Sequence, residues 1–269
     1  MNYLGWEGNP TMTTNKEEAF KEIATTVTNV IKTYSLNAEK EVDEKFKLQL
    51  AHSIYFVTHI YALLKSVADH PKQNEVTDEL FDSQILVWQA CNSMLAATQL
   101  IRQGYPLEPQ FLMRVAIESF SLAMSFHLDE KSYTQYKNMK LSGKDCIGTA
   151  KKALKEIGQI YGLLSEVTHP SRKTAGNNYN ERSGSIIIGG GYDEHLSHRV
   201  LFNFSLLNYL LLTLWKGSEL IFYSFEDDSK FWIEKDGGYN LKLDDSIKQL
   251  VKTIGNDFRT AIDSIDTNE

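Results

Sequence analysis

Apolar residues recur at helical spacing through most of this chain, and this periodicity constrains the fold more than any other feature of the sequence. Gly and Pro interrupt it where helix ends are expected, for example at Gly104-Tyr105-Pro106. The clearest stripe has i, i+3, i+4, i+7 spacing, which places its members on one helix face and predicts that this face lies in the core. It consists of Phe46, Leu50, Ile54, Val57, Tyr61 and Leu64.

The periodicity and its interruptions predict eight helical segments. Connections are short up to residue 170, which favours antiparallel neighbours in an up-down bundle. We therefore predict an all-α fold, an antiparallel helical bundle of about eight helices, with 1–14 as a flexible lead and 15–269 as a single domain. The segments are 16–34, 37–68, 77–102, 108–128, 129–139, 145–167, 193 or 197 to 223, and 245–265.

Only a minor β element is expected, and it lies in the second half of the chain. Residues 170–192 are rich in Gly and are expected to form a loop with one short strand at 185–188. Two further runs, 231–235 and 239–243, flank Asp236-Gly237-Gly238. That arrangement is typical of a β-hairpin.

Charge and cysteine content narrow the cellular context. The chain has 28 Lys and Arg against 35 Asp and Glu, a net charge of -7. This balance argues against wrapping nucleic acid or an anionic membrane, although a local basic site is compatible with it. We see no DNA-specific signal and no signal peptide. The two cysteines, Cys91 and Cys146, fit no disulfide framework, so a reducing cytoplasm is expected.

The most hydrophobic run, 200–215, is expected to be a buried helix of the bundle. It contains Asn203 and Asn208 and is closed by Lys216 and Glu219. A membrane span needs about 20 apolar residues, so we predict no membrane association.

An ion pair stands in an otherwise apolar helix at Arg114 and Glu118, four residues apart. Buried charges are costly unless they are paired. One interpretation is that the two side chains satisfy each other and fix helix packing. The other is that Arg114 also presents its planar guanidinium to a phosphate or carboxylate in a cleft.

A second polar stripe is formed by Tyr161, Ser165 and His169, which are spaced four apart near a helix end that Pro170 terminates. His169 at that end is either a capping residue or a general acid/base that Tyr161 and Ser165 position. Both alternatives remain open from the residues alone.

These two segments together resemble a known group of proteins. The pattern is Leu112-Met113-Arg114 with Glu118, followed by Tyr161, Leu164-Ser165 and His169-Pro170-Ser171. It resembles bacterial helical proteins with "LxR…E" and "YxxLSxxxHPS" motifs. More distantly it is similar to the HEPN superfamily of helical-bundle, often dimeric proteins from toxin–antitoxin, abortive-infection and RNA-processing systems. The resemblance implies a homodimeric bundle in which Arg114, Glu118, Tyr161 and His169 converge.

The sequence departs from that superfamily at its catalytic motif. Active HEPN ribonucleases carry Arg and His on one helix as R-x4-6-H, for metal-independent cleavage by the RNA 2′-hydroxyl. None of the six arginines here has a His at that spacing. A nuclease would therefore have to combine Arg114 and His169 from different helices.

Basic residues are concentrated near this candidate site. Residues 137–155 contain six lysines and one aspartate. Such a band either follows phosphates or is an ordinary solvated helix face. The expected ligand contacts are Lys151, Ser165 and Arg172, the last in the loop after His169.

Metal and cofactor signals are missing from the sequence. His195 and His198 lack the His-Glu framework of zincins, and His52 and His59, seven residues apart, are expected at the edge of the core. We expect no metal and no cofactor.

Two functions are compatible with these residues. The first is a binding or interaction protein whose Arg/Glu/Tyr/His cluster holds a small anionic ligand or a nucleotide. The alternative is a metal-independent HEPN-like ribonuclease of a bacterial defence system, in which Arg114 holds the phosphate and His169 moves protons.

Overall fold

The computed structural model describes residues 35–69, 76–168, 179–180, 185–186, 192, 197–225, 229–235, 238–242 and 245–266, with isolated positions between 18 and 29. The predicted lead at 1–14 lies outside the described residues. Within the predicted first helix, the described positions Glu18, Lys21, Ala24, Thr25, Thr28 and Asn29 are all helical.

Nine helices and two small antiparallel sheets occur in the described residues, which confirms the all-α bundle with a minor β-hairpin. A 3-10 turn, Tyr223–Phe225, follows the helix Ser197–Ile221. The helices are α1 Ser35–Lys45, α2 Lys47–Asp69, α3 Asp78–Arg102, α4 Glu108–Leu128, α5 Glu130–Lys137, α6 Gly143–Ala153, α7 Lys155–Thr168, α8 Ser197–Ile221 and α9 Asp245–Asp266.

Two helices that the sequence predicts as continuous are each divided in the structure. The segment 37–68 is divided at Phe46 into α1 and α2, and the segment 145–167 is divided at Leu154 into α6 and α7. Leu154 is extended, at φ -126° and ψ 93°. Both residues are buried, and the Phe46 ring lies 6.0 Å from that of Phe204 on α8. At Phe46 the helical hydrogen bonds continue, from Phe46 N to the Val42 carbonyl and from Leu50 N to the Phe46 carbonyl, so that boundary is a local irregularity.

The stripe that the sequence predicts as a core face of this segment is only partly buried. Phe46, Val57 and Leu64 are buried, whereas Ile54 is 59% exposed. The prediction is therefore wrong for Ile54, because no neighbouring helix of the described residues covers that part of α2.

The second half of the chain forms two strand pairs. β1 (Tyr179–Asn180) pairs with β2 (Ser185–Ile186), so the loop predicted to hold one strand contains two. β3 (Trp232–Lys235) pairs with β4 (Gly238–Leu241) in the predicted hairpin.

α8 lies at the centre of the bundle, as predicted for the most hydrophobic run. Its two asparagines are buried and bonded to other elements. Asn208 accepts from Ser53 Oγ at 2.7 Å and donates to the Gln49 carbonyl. Asn203 accepts from Gln110 and donates to the Pro106 carbonyl. Because an unpaired buried amide is costly, these bonds fix how α8 lies against α2 and the α3–α4 turn.

One described helix, α4, is long and apolar enough to cross a membrane. Inside the bundle, 56% of its apolar window is buried. Many of its apolar side chains therefore pack against neighbouring helices.

Candidate functional site

Arg114 and Glu118 lie one turn apart on α4, and both contact Tyr161 on α7. Arg114 Nε donates to Glu118 Oε1 at 3.1 Å, and Arg114 Nη2 donates to the Tyr161 hydroxyl at 3.3 Å. The Tyr161 hydroxyl donates to the same Glu118 oxygen at 3.1 Å. Three side chains from two helices thus form a closed triangle of hydrogen bonds, which we call the Arg114 cluster.

The Arg114 cluster is partly open to solvent. The side chains of Arg114 and Glu118 are 22% and 29% exposed. Arg114 Cζ also lies 5.4 Å from the centre of the Tyr161 ring, within range of a cation–π interaction. The guanidinium is therefore held in place without being sealed beneath α8.

The electrostatics of the cluster keep Arg114 charged. Burial opposes the charged form, but the hydrogen bonds to Glu118 and Tyr161 outweigh it and raise the pKa of the guanidinium. Two donors converge on one Glu118 oxygen. Glu118 thus fixes the orientation of both the guanidinium and the phenol.

A second arginine, Arg102, provides a comparison within the same chain. It forms a bidentate pair with Asp43, at 2.7 and 2.6 Å, and lies 3.8 Å from Glu39. These contacts tie α3 to α1. Arg114, in contrast, bonds to Glu118 on its own helix and to the neutral phenol of Tyr161 on α7.

The start of α6 packs against the backbone of Glu118, a residue of the cluster. Gly143 packs so closely on α4 that a β-carbon there would lie 2.7 Å from the Glu118 carbonyl carbon. A capping box between Ser142 and Asp145 begins the helix at this point. The sequence therefore uses a glycine where α6 approaches the backbone of a cluster residue.

Lys151, a predicted ligand contact, packs against the helix that carries Tyr161. It is exposed on α6, and its Cδ lies 3.3 Å from where a β-carbon on Gly158 would be. Gly158 precedes Tyr161 by one turn of α7. The stem of the Lys151 side chain therefore lies one turn of α7 away from Tyr161.

Two other lysines of the band, Lys137 and Lys152, lie near other acidic residues. Lys137 pairs with Asp78 at 3.5 Å. A hydrogen bond from Ser132 and, to a smaller extent, the charge of Lys152 lower the pKa of Asp129. The band is therefore divided among several parts of the surface.

One predicted residue, Ser165, is described and makes no hydrogen bond to the cluster, and two others lie outside the described residues. Ser165 lies one turn beyond Tyr161, and its buried hydroxyl has no hydrogen-bond partner in the described part of the chain. His169 and Arg172 fall outside the described residues, so proton transfer by His169 and phosphate binding by Arg172 stay predictions.

Sequence reasoning missed a cavity of about 100 Å³ between α2 and α8. His59, expected at the core edge, stacks on Trp215 there, with ring centres 4.3 Å apart. Burial and the nearby charge of Lys230 lower the pKa of His59. The cavity is lined by His59, Ala62, Leu63, Ser66, Trp215, Glu219 and Lys230.

Glu219 is the most buried charged group at that cavity, at 3% exposure. Its Oε2 accepts from Ser229 Oγ at 2.5 Å and from the backbone amides of Lys230 and Phe231. Desolvation nevertheless dominates and raises the pKa of the carboxyl. The sequence offered one signal for this site, an acidic residue within the most hydrophobic helix. It did not indicate the hydrogen-bond donors, because these follow Glu219 by about ten residues.

Within the described residues, no group of three or more His, Cys, Asp or Glu side chains could hold a metal ion. No protein-family model, curated protein or solved structure matches this chain. The resemblance to the HEPN superfamily therefore stays a prediction.

Proposed function

We propose that this protein binds a small phosphate-bearing anion, such as a nucleotide, at the Arg114 cluster. The observation that carries the proposal is the position of Arg114: its guanidinium is partly exposed and is held by Glu118 and by the ring and hydroxyl of Tyr161. A guanidinium held in a defined plane matches the geometry of phosphate oxygens. Preorganisation also lowers the entropy lost on binding.

Glu118 supports this function through orientation, although its charge opposes an anion. One oxygen of the Glu118 carboxylate accepts hydrogen bonds from Arg114 Nε and from the Tyr161 hydroxyl, so it sets the direction of both groups. A phosphate would approach the exposed side of the guanidinium, with Lys151 supplying the additional positive charge.

Calorimetric titration with inorganic phosphate and with AMP, at low and at physiological salt, tests the proposal. We expect AMP to bind, and Arg114→Gln to weaken binding at least tenfold, because a hydrogen bond to a charged group contributes about 1.5–3 kcal/mol. Lys151→Gln should weaken binding less and reduce its salt dependence.

Arg102→Gln is the matched control, since it removes an equally half-buried arginine that lies on the α1–α3 tie and not at the cluster. Its AMP affinity should equal that of the wild type. Equal affinity in Arg114→Gln, or absence of AMP and phosphate binding to the wild type, would contradict the proposal.

A ribonuclease is the second candidate, because Arg114 and the helix that precedes His169 meet at Tyr161. Cleavage of single-stranded RNA by the wild type, lost in both Arg114→Gln and His169→Ala, would favour it. Binding of AMP without RNA cleavage would favour the binding protein.

A further inference from the structure

The solvent face of α3 carries an apolar stripe that the described part of the bundle leaves uncovered. Phe81, Ile85 and Leu95 are 55%, 49% and 42% exposed. The half-buried Trp88 and the exposed Asn92 stand between them, so the spacing along the stripe is 4, 3, 4 and 3 residues. A helix with this spacing presents one continuous face to another helix.

α2 extends this stripe into a two-helix face. The Tyr61 hydroxyl donates to Asn92 Oδ1 at 2.9 Å, and its ring packs edge-on against Trp88 at 4.4 Å. Ile54 is seven residues before Tyr61, so it lies on the same side of α2, and it is exposed. We call this surface the α2–α3 face; it comprises Ile54, Tyr61, Phe81, Ile85, Trp88, Asn92 and Leu95.

α1 already covers the end of the α3 stripe. Gln99 and Arg102 continue the stripe beyond Leu95 with the same spacing. Gln99 donates to Glu39 of α1, and Arg102 forms its bidentate pair with Asp43 of α1. The bonded partners follow the same order along both helices, so α1 runs in the direction of α3. The chain that precedes α1 therefore emerges near the Leu95 end of the uncovered stripe.

The segment that precedes α1, residues 16–34, is amphipathic. Its described positions are helical and exposed, and all but Ala24 are polar. On a helix, the main apolar residues of the segment fall on the side opposite Glu18, Thr25 and Asn29, with spacing of 3, 4, 3 and 4 residues. These apolar residues are Phe20, Ile23, Val27, Val30 and Tyr34.

We propose that residues 16–34 dock on the α2–α3 face of the same chain, as a further helix of the bundle. The first argument is continuity with the contact between α1 and α3. Ser35, the first residue of α1, is one turn before Glu39, whose partner Gln99 is one turn beyond Leu95. The segment thus reaches the α2–α3 face without a long connection.

The second argument is length. A helix of 19 residues is about 28 Å long, and the stripe from Phe81 to Leu95 extends over about 21 Å. The segment is therefore long enough to cover the whole uncovered stripe. Its apolar spacing matches that of the stripe, so the two sets of side chains can interdigitate along this length.

The third argument is charge. Residues 83–101 of α3 contain no Asp, Glu, Lys or Arg, and neither do residues 23–31 of the segment. Lys47 and Lys65 lie on the same side of α2 as Tyr61, but they are 18 residues apart and stand toward the two ends of the face. The charged residues of the segment also lie toward its ends. Docking therefore places uncharged surface on uncharged surface.

Hydrogen–deuterium exchange of the full-length chain, followed by mass spectrometry on peptides from residues 16–34, tests the proposal. In the wild type these amides should exchange at least about tenfold more slowly than in an unstructured peptide. The rate should be equal at 1 and 50 µM protein, because the docking is intramolecular. Ile85→Glu and Leu95→Glu place a charge beneath the segment, and each should accelerate its exchange at least about tenfold. Two variants are used so that one folded variant suffices, with folding checked by far-UV circular dichroism.

Reciprocal variants on the segment provide a matched pair. Val27→Glu should accelerate exchange of residues 16–34 as Ile85→Glu does. Thr25→Glu should leave the exchange unchanged, because Thr25 is exposed. Leu241→Glu, at an exposed leucine on β4 outside the α2–α3 face, is the control on the bundle and should also have no effect.

Three outcomes would overturn the proposal. The first is a wild-type segment that exchanges like an unstructured peptide. The second is unchanged exchange in folded Ile85→Glu and Leu95→Glu proteins. The third is protection that increases with protein concentration, which would assign the α2–α3 face to a second copy. AMP binding can succeed or fail independently, since the face lies outside the Arg114 cluster.

Discussion

Gly143 lies directly on the backbone of Glu118. A β-carbon at position 143 would lie 2.7 Å from the Glu118 carbonyl carbon and 3.0 Å from the Glu118 β-carbon. The first distance is shorter than real β-carbons show and involves backbone that cannot rotate away, and the second is a very tight contact. The close approach of α6 to α4 thus depends on a hydrogen atom at this position, and so does the placement of a cluster residue.

We expect Gly143→Ala to lower the free energy of unfolding by about 2 kcal/mol, because α6 must move off α4. Urea denaturation measures this, and AMP titration should show weaker binding as Glu118 shifts. Gly148→Ala is the control: a β-carbon there meets nothing within 4 Å, and alanine favours the helix by up to about 1 kcal/mol. Equal effects of the two substitutions would contradict the packing argument.

Met139 occupies a helix-terminating position that normally requires glycine. Its φ is 56°, and Met139 N and Lys140 N donate to the carbonyls of Tyr136 and Gln135 in a Schellman motif. Gly104 holds the equivalent position after α3, with φ 77°. Met139 is 95% exposed, so replacing it removes little packing.

Met139→Gly should therefore raise the free energy of unfolding by about 0.5–1 kcal/mol, because the left-handed conformation is strained for side chains with a β-carbon. Gly104→Ala should lower it by about 1 kcal/mol or more. Thermal unfolding of the two variants checks the opposite signs. A destabilised Met139→Gly protein would show that the side chain has another role.

Glu219 should make stability decrease as pH rises. Desolvation raises the pKa of its carboxyl above the ordinary value of 4.5, so the folded state binds the proton more tightly than the unfolded state does. Stability from this group is complete below pH 4.5 and is lost as pH rises through the raised pKa. Glu219→Gln removes this titration.

Urea denaturation from pH 4 to pH 8 measures the effect. The free energy of unfolding of Glu219→Gln minus that of the wild type should increase as pH rises. A constant difference, or one with the opposite trend, would show that the bonds from Ser229 and the backbone amides dominate over desolvation.

Cys91 should be inert to thiol reagents in the folded protein. Burial raises the pKa of its thiol to about 12, and both Cys91 and Cys146 are buried and free. Because the thiolate is the reactive form, Ellman's reagent should titrate neither thiol in native protein and both in guanidinium chloride. Rapid reaction of the native protein would indicate local opening of α3 or α6.

Much of the secondary structure could be predicted from the sequence. The expected segments 77–102 and 108–128 match α3 and α4 to within one residue, because Thr77 caps the first and a Gly-Tyr-Pro turn separates them. The breaks at Phe46 and Leu154 could not be predicted. Neither position has Pro or Gly, so no local residue signal marks either one.

The candidate site, too, could be predicted only in part from the sequence. The Arg114–Glu118 spacing already implied a pair on one helix face. Its meeting with Tyr161, 47 residues along the chain from Arg114, required α4 to pack against α7. The cavity at Glu219 was missed because its hydrogen-bond donors come from residues 229–231.

The sequence by itself determined that this protein is a helical bundle with one hairpin, since periodicity and capping are local properties of the chain. The tertiary structure decided which polar groups meet and which apolar face stays uncovered. Those outcomes depend on packing between residues that are distant in sequence, such as Gly143 against Glu118 and Tyr61 against Trp88. Local sequence patterns cannot predict such contacts, because they describe only neighbouring positions of the chain.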